Sequence, residues 1–234
     1  MRTRAALCCL LSLPLLAQRS ISFSGCTWTV KSSNGELGSP GPCYFSDSKE
    51  NVWVDARGRL HLRVVKSGDR WYCSEIVNTE SRGFGAYRFY LESRVDHMDP
   101  SVVLGLFTWN NAPEYNHREI DIEFSRWGDP ARPTNAQYVV QPAREDQYVA
   151  FRHPAVRPTV QSIEWRPDVV HTSSVRGRDA ATTRARDRLA THTFTSGIPL
   201  PGGENARINL WLKGAAPLGG KSVEVIVRRF EHIP

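Results

Sequence analysis

The sequence lacks the motifs that identify several common enzyme classes. Its seven histidines include no H-x-x-x-H pair or comparable spacing, so the spacing gives no support for a metal site. It contains no G-x-S-x-G motif and no cysteine with a matching histidine signature, so nucleophilic serine or cysteine catalysis is unsupported. No nucleic-acid-binding motif is recognisable either, and nucleic acid is not an expected partner.

Long apolar runs are also lacking, except near the N-terminus. Residues 1–20 read MRTRAALCCLLSLPLLAQRS, in which two arginines precede a mainly apolar run that ends in small and polar residues. This pattern predicts a signal peptide within residues 1–24, cleaved between Ala17 and Ser24. Because the run is short and Pro14 interrupts it, a permanent anchor is the weaker alternative. We therefore expect a secreted protein, extracellular or periplasmic, with no membrane attachment after cleavage.

The chain shows no linker and no internal repeat. Its 234 residues are 40% apolar and 23% charged, which suits one globular domain, predicted for residues 25–234 as a monomer. Cleavage after Ala17 would lower the formal charge from +6 to +4. The basic segment at residues 175–189 is typical of a solvated loop, and a patch for an anionic polymer is the alternative.

Few cysteines remain once Cys8 and Cys9 leave with the signal peptide. Cys26, Cys43 and Cys73 would lie in an oxidising compartment, where one disulfide and one thiol is the simplest arrangement. A bond between Cys26 and Cys43 is favoured, because it closes a Gly-, Ser- and Pro-rich loop that has little apolar material. Cys73, within WYCSEIV, is predicted to be a buried small hydrophobe.

Beyond residue 50 the dominant hydrophobic period is two. VWVDARGRLHLRVV predicts a hairpin, and GAYRFYLESRV and KSVEVIVRRF continue the alternation. About ten strands are expected, and they predict an all-β antiparallel fold of two packed sheets or a barrel. The only helix candidate, residues 179–190, is weak because its apolar residues are mostly alanine.

The stretch HREIDIEF, residues 117–124, places Glu119, Asp121 and Glu123 on one face of a predicted strand and two isoleucines on the other. One interpretation is that the three acids form the solvent-exposed face of an amphipathic strand. However, acids are disfavoured in strands, and no Lys or Arg on that face relieves their repulsion. Two carboxylates about 5 Å apart repel by roughly 3 kcal/mol at an effective dielectric near 20, which splits their pKa values by about two units.

Such a split suits retaining glycoside hydrolysis, which needs an ionised nucleophile beside a protonated acid. EIDIEF also resembles the catalytic strand of glycoside hydrolase family 16, the lichenase, laminarinase and xyloglucan-transferase group. The resemblance extends to NVWVDARGRLHL, CSE, GFGAYRF, GLFTW, SIEWRPD and INLWL, in family order over most of residues 45–232. It implies a curved two-sheet β-jelly roll of the concanavalin type.

The resemblance also assigns roles to single residues. It implies Glu119 as nucleophile, Asp121 as its helper and Glu123 as acid/base. It further implies a set of residues that contact a polysaccharide substrate: Glu75, Trp109, His117, Asn209 and Trp211. The regular E-x-D-x-E spacing favours a plant-type glucan such as mixed-linkage β-1,3-1,4-glucan, either hydrolysed or transglycosylated.

Some positions depart from the lichenase pattern. Val77 stands where lichenases have an arginine, His117 where they have a tryptophan, and QYVVQ lacks the expected Asn and Tyr. The resemblance permits a bond between Cys73 and Cys43 as an alternative pairing. It also permits a structural calcium ion, although the sequence offers no ligand set and no cofactor is expected. A non-catalytic, lectin-like binding module on the same fold is the alternative function.

Overall fold

The structure, a computed structural model, describes residues 18–180 and 184–234. Most of the predicted signal peptide, including Cys8 and Cys9, lies outside the described residues, as does part of the helix candidate at residues 179–190. The described part of that candidate contains a 3-10 turn at Ala185–Asp187 and the start of a strand. Further 3-10 turns occur at Asn116–Arg118 and Glu145–Gln147. No helix among the described residues is long and apolar enough to cross a bilayer.

The described residues form sixteen strands. In chain order they are β1 Ser20–Phe23, β2 Cys26–Val30, β3 Tyr44–Phe45, β4 Val52–Val54, β5 Leu60–Ser67, β6 Arg70–Ser81, β7 Gly85–Leu91, β8 Val102–Trp109, β9 Ile120–Phe124, β10 Ala136–Val140, β11 Tyr148–Phe151, β12 Thr159–Arg166, β13 Val169–Arg176, β14 Arg188–Phe194, β15 Asn205–Leu212 and β16 Val223–Ile233.

The strands form two layers that are continuous at one hairpin. One layer has the order β11-β10-β9-β8-β15-β6-β2-β1, and the other has the order β14-β13-β12-β7-β16-β5-β4. The layers join where β5 pairs with β6, so the sheet curves back on itself as a β-sandwich jelly roll. Every pairing is antiparallel except that of β3 with β6. The predicted all-β, two-sheet antiparallel fold is confirmed.

Alternating side chains fill the space between the layers. Leu60, Leu62 and Val64 of β5 have no solvent exposure, and β4 pairs with β5 as the predicted hairpin. Val225 and Val227 of β16 are equally buried. Each of these strands therefore places one apolar face in the core, as a period of two requires.

The N-terminal described residues belong to the sheet. Ser20–Phe23 pairs with β2, and Phe23 is 1% exposed in the core. Cleavage at Ala17, the upstream end of the predicted range, would leave β1 in place, whereas cleavage after Ser24 would remove it. The position of cleavage stays a prediction.

The predicted pairing of Cys26 with Cys43 is wrong in this structure, where all three described cysteines are free thiols. The Cys26 thiol lies 3.3 Å from a guanidinium nitrogen of Arg82. Cys43 instead contacts Cys73, because β3 follows Cys43 directly and pairs in parallel with β6, bringing the two buried thiols together. The prediction that Cys73 is a buried small side chain is confirmed.

Candidate active site

The three acids of HREIDIEF lie on or beside β9, on the face turned away from the core. Ile120, Ile122 and Phe124 are fully buried between the layers, so the alternation projects Asp121 and Glu123 to the other side. Glu119 directly precedes the strand and continues the series. β9 lies inside its layer, between β8 and β10, so paired backbone fixes both of its edges.

A left-handed turn presents Glu119. Residues 115–118 all have positive φ, between 50° and 64°, although none is glycine. Such backbone is costly for L-residues and persists only where its surroundings hold it. The Asn110 N–H donates to the His117 carbonyl at 2.7 Å, and the Thr108 hydroxyl donates to the Arg118 carbonyl at 2.7 Å. The strained turn therefore fixes the backbone immediately before the first acid.

Two glutamines contact the acids, one on β10 and one directly after it. Gln137 Nε2 donates to Glu123 Oε2 at 2.6 Å from the opposite position on β10, and Gln141 Nε2 donates to Asp121 Oδ2 at 3.3 Å. Asp121 in turn donates a hydrogen bond to Glu119. Asp121 is therefore bonded to both Gln141 and Glu119, whereas Gln137 holds Glu123 separately.

Burial dominates the titration of this triad. It raises the pKa of Glu119 to about 8 and that of Glu123 to about 7, and it raises the pKa of Asp121 well above the ordinary value. The nearby Glu123 charge raises the Glu119 pKa further, whereas the hydrogen bond from Asp121 and the Arg207 charge lower it. The triad is therefore incompletely ionised at neutral pH, and Asp121 is the donor in its hydrogen bond to Glu119.

Lys31, Glu75 and Arg207 line the cavity together with the triad. Glu75 is 1% exposed and accepts contacts from Lys31 Nζ at 2.9 Å and from Arg207 Nη1 at 3.3 Å. Arg207 also lies near Asn111 Oδ1, at 3.5 Å, and 5.8 Å from the ring centre of Trp109. The buried carboxylate of Glu75 therefore anchors two cations in the cavity wall.

The aromatic side chains at the site are themselves packed. The rings of Trp109 and His117 stack with their centres 4.2 Å apart and their planes 5° apart. Trp211 is 7% exposed, and its ring packs edge-on with that of Trp127, with the ring centres 6.0 Å apart. Trp109 and His117 thus form one flat double layer, while Trp211 contributes a mostly covered surface.

Asn209 lines the cavity and is 2% exposed. Its side-chain oxygen accepts a 3.1 Å hydrogen bond from the Gly105 N–H on β8. A Cβ atom at position 105 would lie 2.4 Å from that oxygen, so the bond depends on glycine. Asn209 therefore holds β8 against β15 at the site.

These residues enclose a cavity of about 280 Å³. Its lining combines acids, cations and aromatic rings: Lys31, Ser39, Pro40, Glu75, Phe107, Trp109, Asn111, Glu119, Asp121, Glu123, Arg207, Asn209 and Trp211. Seven of the eight predicted site residues are in this set, and His117 joins it through its stack on Trp109.

Sequence reasoning missed Lys31, Asn111 and Arg207, as well as the two glutamines on the β10 side. A signal for Arg207 was available, because it precedes Asn209 and Trp211 at a spacing of two in RINLWL and therefore shares their face. Lys31 offered no such signal, since it joins the site only through the pairing of β2 with β6.

No metal site is found in the part of the chain that the structure describes, since no group of three or more His, Cys, Asp or Glu side chains there is arranged to hold an ion.

The comparisons with known proteins were informative for structure alone. Neither protein-family models nor curated protein sequences match the chain. A β-glucanase of Bacillus licheniformis superposes with a TM-score of 0.61 at 18% identity, over 88% of this chain and 92% of that one. A β-1,3-1,4-glucanase (lichenase) from a mouse hindgut metagenome gives 0.59 at 18% identity, over the same shares.

The chain has the fold of the β-glucanases. The predicted resemblance to glycoside hydrolase family 16 is thereby confirmed at the level of fold. A Mycobacterium tuberculosis protein described as an immunostimulatory antigen and pseudo β-1,3-glucanase is also similar, with a TM-score of 0.64 at 19% identity over 88% of this chain and 91% of that one. The same fold thus occurs in proteins described as glucanases and in one described as a pseudo-glucanase.

Proposed function

We propose that the protein is a secreted retaining endo-glycosidase that cleaves or transglycosylates a β-linked glucan, such as mixed-linkage β-1,3-1,4-glucan. One observation carries the proposal. The central acid, Asp121, hydrogen-bonds Glu119, while Glu123 lines the same cavity and is held separately by Gln137. The acids thus have different partners, as a nucleophile and a proton donor require.

In the first step the Glu119 carboxylate attacks the anomeric carbon and the bond to the leaving oxygen breaks, while Glu123 gives that oxygen its proton. In the second step Glu123 takes a proton from water or from a sugar hydroxyl, whose oxygen then displaces Glu119. Asp121 donates a hydrogen bond to Glu119 and so stabilises the Glu119 carboxylate, both before it attacks and when the second displacement releases it. The two displacements retain the anomeric configuration.

The test is the release of reducing ends from a panel of soluble β-glucans, xyloglucan and sulfated galactans, with sizing of the products. Glu119→Gln and Glu123→Gln should each reduce the rate by at least about 10³-fold. Glu145→Gln, in an exposed 3-10 turn, is the control and should retain activity. Substantial activity in either cleft variant, or a product of inverted configuration, would contradict the mechanism.

The two roles can be separated by azide rescue. Azide added to Glu119→Ala should give a glycosyl azide of α configuration, because azide takes the place of the nucleophile. Azide added to Glu123→Ala should give the β product, because it attacks the covalent intermediate. The opposite pair of products would exchange the two assignments.

The second candidate is a carbohydrate-binding module without catalysis. The similarity to the mycobacterial protein described as a pseudo-glucanase favours it, because the fold alone does not ensure activity. Measurable affinity for a glucan in calorimetry, with no release of reducing ends from any member of the panel, would support this candidate over the first.

Secretion and monomeric state belong to the same proposal. The N-terminal sequence and mass of protein recovered from the culture medium or periplasm should show cleavage between Ala17 and Ser24. Light scattering of the mature chain should give the mass of one protomer. A chain that retains residues 1–17 in the cytoplasm would contradict secretion.

A further inference from the structure

We propose that Arg207 is a positioning residue for Glu119: its guanidinium, anchored by Glu75, holds a fixed positive charge beside the proposed nucleophile and favours the ionised form that attacks. This inference rests on the proposed function, since it takes Glu119 as the nucleophile. It assigns an electrostatic role to the Arg207–Glu75 ion pair, which lines the cavity but takes no direct part in breaking the glycosidic bond.

The sheet register brings Arg207 toward the acids. Arg207 on β15 lies opposite Phe107 on β8, and Phe107 lies opposite Asp121 on β9. Residues opposite one another in adjacent strands share a face, so these three side chains project into the same cavity. Arg207 and Asp121 are two strand spacings apart, about 10 Å at the backbone, and the long arginine side chain can span much of that gap.

The guanidinium is held in place from several sides. Its Nη1 contacts Glu75 Oε1 at 3.3 Å, and its Nη2 lies 3.5 Å from Asn111 Oδ1. The Trp109 ring centre lies 5.8 Å away, and only 13% of the Arg207 side chain is exposed. A cation fixed in this way cannot swing out into solvent, so its charge acts on the cavity at a constant position.

Among the described residues, the charged groups around Glu119 are few. Asp121 and Glu123 approach from β9 itself, Arg207 approaches from β15, and Glu75 and Lys31 lie behind Arg207. Burial and the charge of Glu123 both favour a protonated Glu119, and the Arg207 charge opposes them. Lys31 is bound to Glu75 Oε2 at 2.9 Å and to the Ser39 carbonyl at 2.6 Å.

The two cations of the cavity therefore differ in a way that can be tested. Arg207 and Lys31 both pair with Glu75, but only Arg207 is among the groups that shift the pKa of Glu119. Arg207→Met and Lys31→Met remove the same charge from the same ion cluster. They form a matched pair that separates an effect on Glu119 from a general effect of losing a partner of Glu75.

The experiment is a ¹³C NMR titration of the Glu119 carboxyl without substrate, assigned by comparison with Glu119→Gln. In Arg207→Met the pKa of Glu119 should rise by about one unit or more, and in Lys31→Met it should stay near the wild-type value. An unchanged Glu119 pKa in Arg207→Met, or equal shifts in both variants, would overturn the inference. If Arg207→Met fails to fold, Arg207→Lys keeps a cation for Glu75 and should give a smaller shift in the same direction.

Kinetics on an active glucan provide the second measurement. The acidic limb of the kcat/KM profile, which reports ionisation of the nucleophile, should move to higher pH in Arg207→Met and not in Lys31→Met. Because the titration needs no turnover, a wild-type protein that cleaves no glucan would defeat the proposed function alone. An active protein in which Arg207→Met leaves the Glu119 pKa unchanged would defeat this inference alone.

Discussion

Gln137 faces Glu123 directly across the β9–β10 ladder, and its amide nitrogen donates a 2.6 Å hydrogen bond to Glu123 Oε2. The bond favours the charged form of Glu123 and so opposes the effect of burial, which raises the Glu123 pKa to about 7. One residue of β10 thereby tunes the proposed acid/base without contacting the nucleophile.

Gln137→Leu should move the alkaline limb of activity to higher pH. Loss of the hydrogen bond raises the pKa of Glu123, so the proposed acid stays protonated further into the alkaline range. The kcat/KM profile between pH 5 and 10 measures the shift, which should be about one unit. Gln141→Leu is the matched control, because Gln141 contacts Asp121 and should leave that limb in place. An equal shift in both variants would show that Gln137 has no special relation to Glu123.

Thr108 should be needed for the placement of Glu119. Its buried hydroxyl donates to the Arg118 carbonyl at 2.7 Å and accepts from the Ile120 N–H at 3.2 Å, on either side of the acid. Thr108→Val keeps the shape but leaves both backbone groups unpaired, so stability should fall by about 1 to 3 kcal/mol and kcat by about tenfold or more. Thr108→Ser keeps the hydroxyl and should lose much less of either, as urea unfolding and kinetics will show.

The stack of His117 on Trp109 should affect substrate binding more than turnover. His117→Ala removes the ring that supports Trp109, and KM should rise about fivefold with kcat nearly unchanged. His117→Phe restores a flat partner and should return KM toward the wild-type value. Both variants must adopt the same positive φ of 64° and both lose the hydrogen bond from His117 Nδ1 to the Asn110 carbonyl, so their difference reports the ring. A KM that stays constant in both would remove His117 from the binding surface.

Stability should fall as the pH rises across the range in which the triad loses protons. The pKa of Glu119 is raised from 4.5 to about 8, so between these values the folded state binds more protons than the unfolded state. The free energy of unfolding therefore decreases with pH in that window. Glu119→Gln should flatten the dependence and gain about 1 to 3 kcal/mol over the wild type at pH 8, with little gain at pH 4. Glu145→Gln should follow the wild-type curve of Tm against pH.

The contact between Cys43 and Cys73 predicts the pairing under oxidising conditions. Air or glutathione disulfide should oxidise these two thiols to a disulfide by accepting two electrons and two protons, and the bond should stabilise the fold by about 3 kcal/mol. Cys26 should stay available to iodoacetamide in the native protein, since it is partly exposed. Peptide mapping checks both outcomes, and a Cys26–Cys43 peptide would contradict the arrangement of β3 and β6.

The sequence predicted best what depends on neighbouring residues. The alternation around Ile120 and Ile122 placed the acids on one face, and the structure confirms the burial of both isoleucines. It predicted about ten strands rather than the sixteen of the described residues, because a strand as short as Tyr44–Phe45 contains too few residues to show a period. A local pattern identifies a long strand well and a two-residue strand not at all.

Features that depend on distant pairing could not be predicted. The contacts of Glu75 with Lys31 and Arg207 join positions 44 and 132 residues apart, and they arise from the register of β6 against its neighbours. The Cys26–Cys43 expectation failed for the same reason, since it relied on a short separation along the chain. A single sequence shows which face of each strand is apolar, but it does not show which strands are adjacent in the sheet.

The insertion of β15 between β6 and β8 has a consequence for biosynthesis. Both neighbouring strands have been synthesised once the chain reaches residue 109, but the strand that lies between them, Asn205–Leu212, is synthesised about a hundred residues later. A nascent or truncated chain that ends between residues 124 and 204 has all three acids and no Arg207, Asn209 or Trp211. Competence for the proposed reaction should therefore be acquired only after β15 has been made, and a slow, non-local folding step should precede the first turnover.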